Sequence, residues 1–297
     1  VARIVRRVHV VAEPAEPTQG LVDHLLAVGD QPERLADTHV VEGLGVDAHR
    51  DGLPAARLRL EQREVGVRLD DTGLAAFDEV EHPAVEHGSL KAGLFRYPTG
   101  IEAIRVGNDR GALIVLPYLG QMIWQAAFDG VDLTMKSIFK APRRVPTIGE
   151  TYGCFAFHSG LLRNGVPGPT DNHPSHGEMP CAAMDWAGIE TGSDERGDYL
   201  RVVGSYEYAM GFGSHYEARP SVTLRAGSAR FDMAMEVTNL SAGDPMDLMY
   251  MCHVNYAFSE GAEILQQAPF TPDRTVTRTA VPAHVRPNPD YLARVAA

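Results

Sequence analysis

The first 90 residues contain no lysine, asparagine, methionine, cysteine, tyrosine or tryptophan, and a single aromatic, Phe77. A segment so poor in large apolar side chains has little from which to build a core of its own. Cysteine is scarce along the whole chain. Cys154, Cys181 and Cys252 are an odd number at wide spacings, without the CxxC pairs of a zinc or redox motif, so reduced thiols are expected. Cations are outnumbered, with 27 Lys and Arg against 39 Asp and Glu and a net charge of -12. That balance argues against a nucleic-acid partner, whose phosphates are met by clustered Lys and Arg. No apolar run approaches the roughly 18 to 20 residues of a membrane-spanning helix, so no membrane partner is expected. Arg6-Arg7 is followed by only a short apolar stretch before Glu13-Pro14, too short for the hydrophobic region of an export signal. A cytoplasmic location is the expectation.

What remains is a chain of 297 residues with 44% hydrophobic content, enough for a sizeable core. Its chemistry changes abruptly after Lys91, where Phe95, Tyr97, Tyr118, Trp124 and Phe128 appear, with Asn, Met and Cys following. The break predicts two parts: a poorly ordered or non-native leader over 1–90 and a folded domain over 91–297. The leader's composition fits a docking extension, a plain disordered tail, or an unselected reading frame of GC-rich DNA upstream of the true start.

Beyond the break the pattern is mostly strand. Ile101 to Val106 and Ala112 to Leu116 flank Gly107-Asn108-Asp109-Arg110-Gly111, a hairpin signal. Phe231, Met233, Met235 and Val237 alternate with Arg230, Asp232, Ala234 and Glu236, which puts one face in a core. Helical periodicity is nowhere sustained, so an antiparallel sandwich is favoured over an alternating α/β fold.

Two places carry reactive side chains. Asn172-His173-Pro174-Ser175-His176-Gly177-Glu178 crowds three ionisable groups into a Pro- and Gly-rich loop, where binding groups concentrate. In the stretch from Asp247 to Phe258, alternation puts Leu248, Tyr250, Cys252, Val254 and Tyr256 on one face, and Met249, Met251, His253 and Asn255 on the other. Each histidine also has an ordinary reading, as a turn-capping or core residue. Trp124 reads as core and Lys136 as a solvated strand end.

Phe95-Arg-Tyr-Pro-Thr-Gly, Gln121-Met-Ile-Trp, Leu133-Thr-Met-Lys-Ser, Gly165-Val-Pro-Gly-Pro, His173-Pro-Ser-His-Gly-Glu and His253-Val-Asn-Tyr together resemble the DUF4432 branch of the aldose 1-epimerase (galactose mutarotase-like) superfamily. The resemblance implies a mainly β, antiparallel supersandwich over about residues 94–297 and an aldose as small-molecule partner. It implies interconversion of α and β anomers by acid/base ring opening, with no cofactor or metal. Carried over, the His-Gly motif gives His176 and the later strand gives His253, with His253 as the acid and His176 as its supporting contact. His158, His173 and Glu178 are candidate sugar contacts, since multidentate polar groups suit a polyol. The superfamily's base is a glutamate well beyond the His253 strand, and only Glu260 and Glu263 follow His253 here. The reading is therefore of a sandwich incomplete at its C-terminus and impaired in catalysis, with Glu178 as the replacement base if activity survives.

Two other functions fit the same residues. His173, His176, Glu178 and His253 have the donor types of a cupin-like metal site, although Pro174 and Gly177 break the usual strand spacing. A non-catalytic carbohydrate-binding protein would use the same fold, because fold does not imply function.

Overall fold

The turn residues between Gly107 and Gly111 fold the chain back on itself as the sequence predicts. Asn108 does the turning: its backbone N–H donates to Gly111, and its side-chain oxygen accepts from the backbone N–H groups of Arg110 and Gly111. Its side-chain NH2 donates to the carbonyls of Arg225 and Ser228, each at 2.7 Å, tying this hairpin to a turn of a second sheet. These relations come from a computed structural model that describes residues 3–11, 22–24, 69, 77–241, 245–259 and 263–265.

The strands, in chain order, are β1 (Arg3–Val11), β2 (Val22–His24), β3 (His82–His87), β4 (Leu90–Arg96), β5 (Glu102–Gly107) and β6 (Gly111–Leu116). They continue with β7 (Met122–Phe128), β8 (Val131–Asp132), β9 (Ala156–Ser159), β10 (Trp186–Asp194) and β11 (Gly197–Ala209). β12 (His215–Arg225), β13 (Arg230–Asn239), β14 (Met251–Val254) and β15 (Glu263–Leu265) complete them. One sheet has the order β1-β13-β12-β11-β10. The other runs β14-β9-β7-β6-β5-β4-β3, with β8 appended to β7. Both are antiparallel throughout, and β15 pairs with β2 in a separate parallel ladder.

The core lies between the two larger sheets. Ile104, Val106, Leu113, Val115 and Ile123 meet Leu200, Val202, Val222, Leu224 and Met233 there, all removed from water. Phe128 and Phe231 stack across it, 6.0 Å apart. The alternation read over 230–237 is realised, with Phe231, Met233, Met235 and Val237 buried. Trp124 is buried as well, at 2% exposure, in a second cluster on the other face of the eight-stranded sheet. The fold is a mainly antiparallel β-sandwich, as expected from the strand pattern.

Parts of the compositional leader are woven into it. β1 pairs with β13 over nine residues, β3 pairs with β4, and Leu69 and Phe77 are buried in the core at 1% and 2% exposure. Most of the rest of the leader lies outside the described residues, as does most of the C-terminal stretch on which the expectation of a missing strand and a missing glutamate rests. No helix among the described residues is long and apolar enough to cross a membrane.

The outer face of the eight-stranded sheet positions the site. Because Cys252 and Val254 pack inward against the core, Met251 and His253 must point outward from β14. On the same outer face Ala103, Ile114, Leu116, Trp124 and Phe157 are covered by the segment between β8 and β9. That segment carries a 3₁₀ turn at Ile148–Glu150, with Ile148 buried, and is held by bonds from Thr99 Oγ1 to the Pro142 carbonyl and from Arg143 N–H to Thr151 Oγ1.

Candidate active site

β9 and β14 are antiparallel neighbours, and their register sets His253 directly opposite Phe157. The His253 imidazole lies over the Phe157 ring, with centroids 4.5 Å apart and planes 15° from parallel. His176 meets His253 edge to face at 5.0 Å and 83°, and meets Phe157 at 5.7 Å. The structure therefore brings together the two histidines that the resemblance nominates.

His176 reaches this place through an unusual backbone. It is left-handed, with φ of 64°, and Gly177 follows at φ of 81°. The His176 N–H donates to the Gly165 carbonyl, and its own carbonyl accepts from Gly160 N–H and Ser159 Oγ. A Cβ on residue 177 would collide with the carbonyl oxygens of Arg163 and Gly160, so glycine is required there on two counts. This is the physical content of the His-Gly pair: the histidine is aimed, and the glycine lets the loop close beneath it.

A third group completes the cluster. Tyr152 Oη lies 2.8 Å from His253 Nε2, and the tyrosine ring stands edge-on to both His253 and Phe157. The sequence reading missed it, since a lone tyrosine in a non-periodic loop sends no signal.

Burial governs the protonation of all three. The His253 pKa is pushed down to about 4, first by burial and then by the neighbouring His176, with Asn255 acting in the opposite direction. His176 is also lowered by burial, and Tyr152 is raised by it. Near neutral pH the site is two neutral imidazoles and a neutral phenol, groups that can both give and accept protons.

The other nominated residues are placed elsewhere. His158 lies on the opposite face of β9, fully buried at 0% exposure, with Nδ1 2.9 Å from Tyr250 Oη and its pKa lowered to about 4 by burial. Strand parity separates it from the pair. His173 Nδ1 donates to the carbonyl of Pro174, and its ring edge lies 4.0 Å from Asp171. Glu178 Oε1 accepts from the N–H groups of Leu161 and Leu162 at 3.0 Å and from Tyr216 Oη at 2.7 Å. It anchors the His176 loop to β12. Asn255, which the alternation places beside His253, is buried and donates to the Cys154 carbonyl.

The thiols are chemically quiet. Cys154, Cys181 and Cys252 are free, and burial raises them to about 12, 11 and 12 respectively, which keeps them protonated at neutral pH. Among the described residues, no group of three or more His, Cys, Asp or Glu is arranged to hold a metal ion.

Fold and site together define an antiparallel β-sandwich that carries a histidine pair, one from a strand and one from a loop, on the outward face of one sheet. Residues 98–284 match the family described as "Domain of unknown function (DUF4432)", and the chain belongs to that family. A search of curated proteins finds no match. Among solved structures the chain is similar to a "putative aldose 1-epimerase" from Klebsiella pneumoniae subsp. pneumoniae MGH 78578, with a TM-score of 0.51 and 14% identity. The similarity covers 64% of this chain and 50% of that one, so the chain spans half the length of that structure. At this identity the likeness is one of fold.

Proposed function

We propose that this protein binds an aldose and interconverts its α and β anomers by acid/base ring opening. The observation that carries the reading is the His176–His253 pair, 5.0 Å between ring centres, on the outward face of the sheet.

Ring opening needs two proton transfers. The anomeric hydroxyl loses its proton as its oxygen pair forms the C1=O bond, the C1–O5 bond breaks, and O5 gains a proton. Rotation about C1–C2 and reclosure on the other face of the aldehyde exchange the anomers. Two adjacent neutral imidazoles suit this exchange, since each has one nitrogen that accepts and one that donates. Phe157 supports the reading by fixing the His253 ring from one side, and the loop bearing Gly177 supports it by holding His176 at the other. His158 and Glu178 act here as scaffold: one braces Tyr250 in the core and the other braces the His176 loop.

The test is NMR exchange between the anomeric signals of a panel of aldoses, with and without the protein. Accelerated exchange for at least one sugar is expected. Binding without acceleration would make this a carbohydrate-binding protein, and no binding to any sugar would overturn the reading.

A further inference from the structure

Resting on the reading of His253 as a proton-transfer group, we infer that Tyr152 is a positioning residue whose hydroxyl donates to His253 Nε2 and so keeps the ring's own proton on Nδ1. The resemblance alone assigns His253 as the acid. The geometry adds which of its two nitrogens carries the ring proton in the resting protein.

The argument begins with the 2.8 Å contact between Tyr152 Oη and His253 Nε2. A phenol O–H is a stronger donor than an imidazole N–H, and an unprotonated imidazole nitrogen is a better acceptor than a phenolic oxygen. Between two neutral partners the shared proton therefore sits on Tyr152, and the single N–H of the His253 ring is left at Nδ1. Fixing a tautomer through the partner of one nitrogen is a general way of setting what the ring can do.

The phenol is held in place from several sides. Its ring stands edge-on to Phe157, 5.9 Å between centres, and the preceding Thr151 is buried, with its hydroxyl accepting from Arg143 N–H. Gly153 on the other side has no room for a side chain, because a Cβ would press on Phe139 and the Trp124 ring. The titratable groups that bear on the pair are His176, from the loop after β9, and Cys154, beside Tyr152 in the chain. Both are neutral near pH 7, and neither offers a competing charge to pull the shared proton across.

The test uses the full chain and the Tyr152→Phe variant. Long-range proton–nitrogen NMR of the His253 ring, assigned by its loss in His253→Gln, reads the tautomer directly. The expected wild-type spectrum has a protonated Nδ1 and a bare, hydrogen-bonded Nε2, and in Tyr152→Phe the Nε2 signal moves toward the value of a free bare nitrogen. In anomer exchange the variant is expected to lose about 10-fold in kcat, the equivalent of one ordinary hydrogen bond, with little change in KM. A wild-type spectrum with the proton on Nε2 would overturn the inference. So would a variant whose ring signals and kcat both match the wild type. If no sugar exchanges at all, the proposed function fails, and the imidazole spectrum still decides the tautomer.

Discussion

His253 and Phe157 are cross-strand partners whose rings lie 4.5 Å apart and 15° from parallel. One face of the imidazole is thereby closed, and its freedom to rotate out of the sheet is small. What remains open to chemistry is its edge, toward Tyr152 and His176.

That arrangement predicts how the two histidines behave when removed. His253→Ala and His176→Ala are each expected to lower the rate of anomer exchange by about 10² to 10⁴, the usual loss for a proton-transfer group. Neither residue sits in the core between the sheets, so both variants should keep a cooperative melt close to that of the wild type. Thermal unfolding measured beside the exchange rate checks this. A large drop in melting temperature with a preserved rate would mark the pair as structural.

Gly177→Ala makes a different prediction. The substitution puts a Cβ against the Arg163 and Gly160 carbonyls at a residue whose φ is already 81°. Strain of this kind costs about 1 to 3 kcal/mol per residue, and the loop can relieve it only by moving His176. The expected outcome is a combined loss, with lower stability in urea and an exchange rate reduced toward that of His176→Ala.

The buried His158 predicts a pH dependence of stability. Its folded pKa of about 4 lies below the ordinary 6.5, so the unfolded chain takes up the proton first as the solution is acidified. Its contribution is fully present above pH 6.5 and is lost as pH falls toward 4. For a fully buried group with this shift the loss is on the order of 3 kcal/mol. Denaturant melts from pH 7 to 4 should show the decline, and His158→Gln should make it shallower over that interval, leaving the part contributed by His253, whose pKa is also about 4. An equally steep decline in the variant would assign the effect to other groups.

The division between what could and could not be read from the sequence follows the reach of local patterns. The hairpin at 101–116 and the inward face at 230–237 were legible because turn chemistry and a period of two are local. That His253 shares a face with Met251, opposite Cys252 and Val254, was legible for the same reason, although which face turns outward was not. The contact of His253 with His176 was legible only through resemblance, since a left-handed loop residue 77 positions earlier in the chain leaves no periodic trace. His158 was nominated as a sugar contact because its residue type fits, yet strand parity sends it inward, and that parity is fixed by which residues of β9 pair with β14. Glu178 was read as a ligand-facing acid. Its partners are backbone N–H groups at Leu161 and Leu162, which no side-chain pattern announces. The composition break near residue 90 was legible, but it did not foretell that Phe77, the one aromatic before it, would be buried in the core.

The ladders of the sandwich are unequal. β13 is held by nine residue pairs on each side, whereas β14 is held by four, and β9 beneath it meets β7 through one. Amide hydrogens in β14 should therefore exchange with solvent by local opening at a free energy well below that of global unfolding. His253 rides on that weakly fastened strand, while the rest of the molecule is fastened elsewhere. On warming, the histidine pair should come apart while the five-stranded sheet is still folded, so heat inactivation would precede the melt.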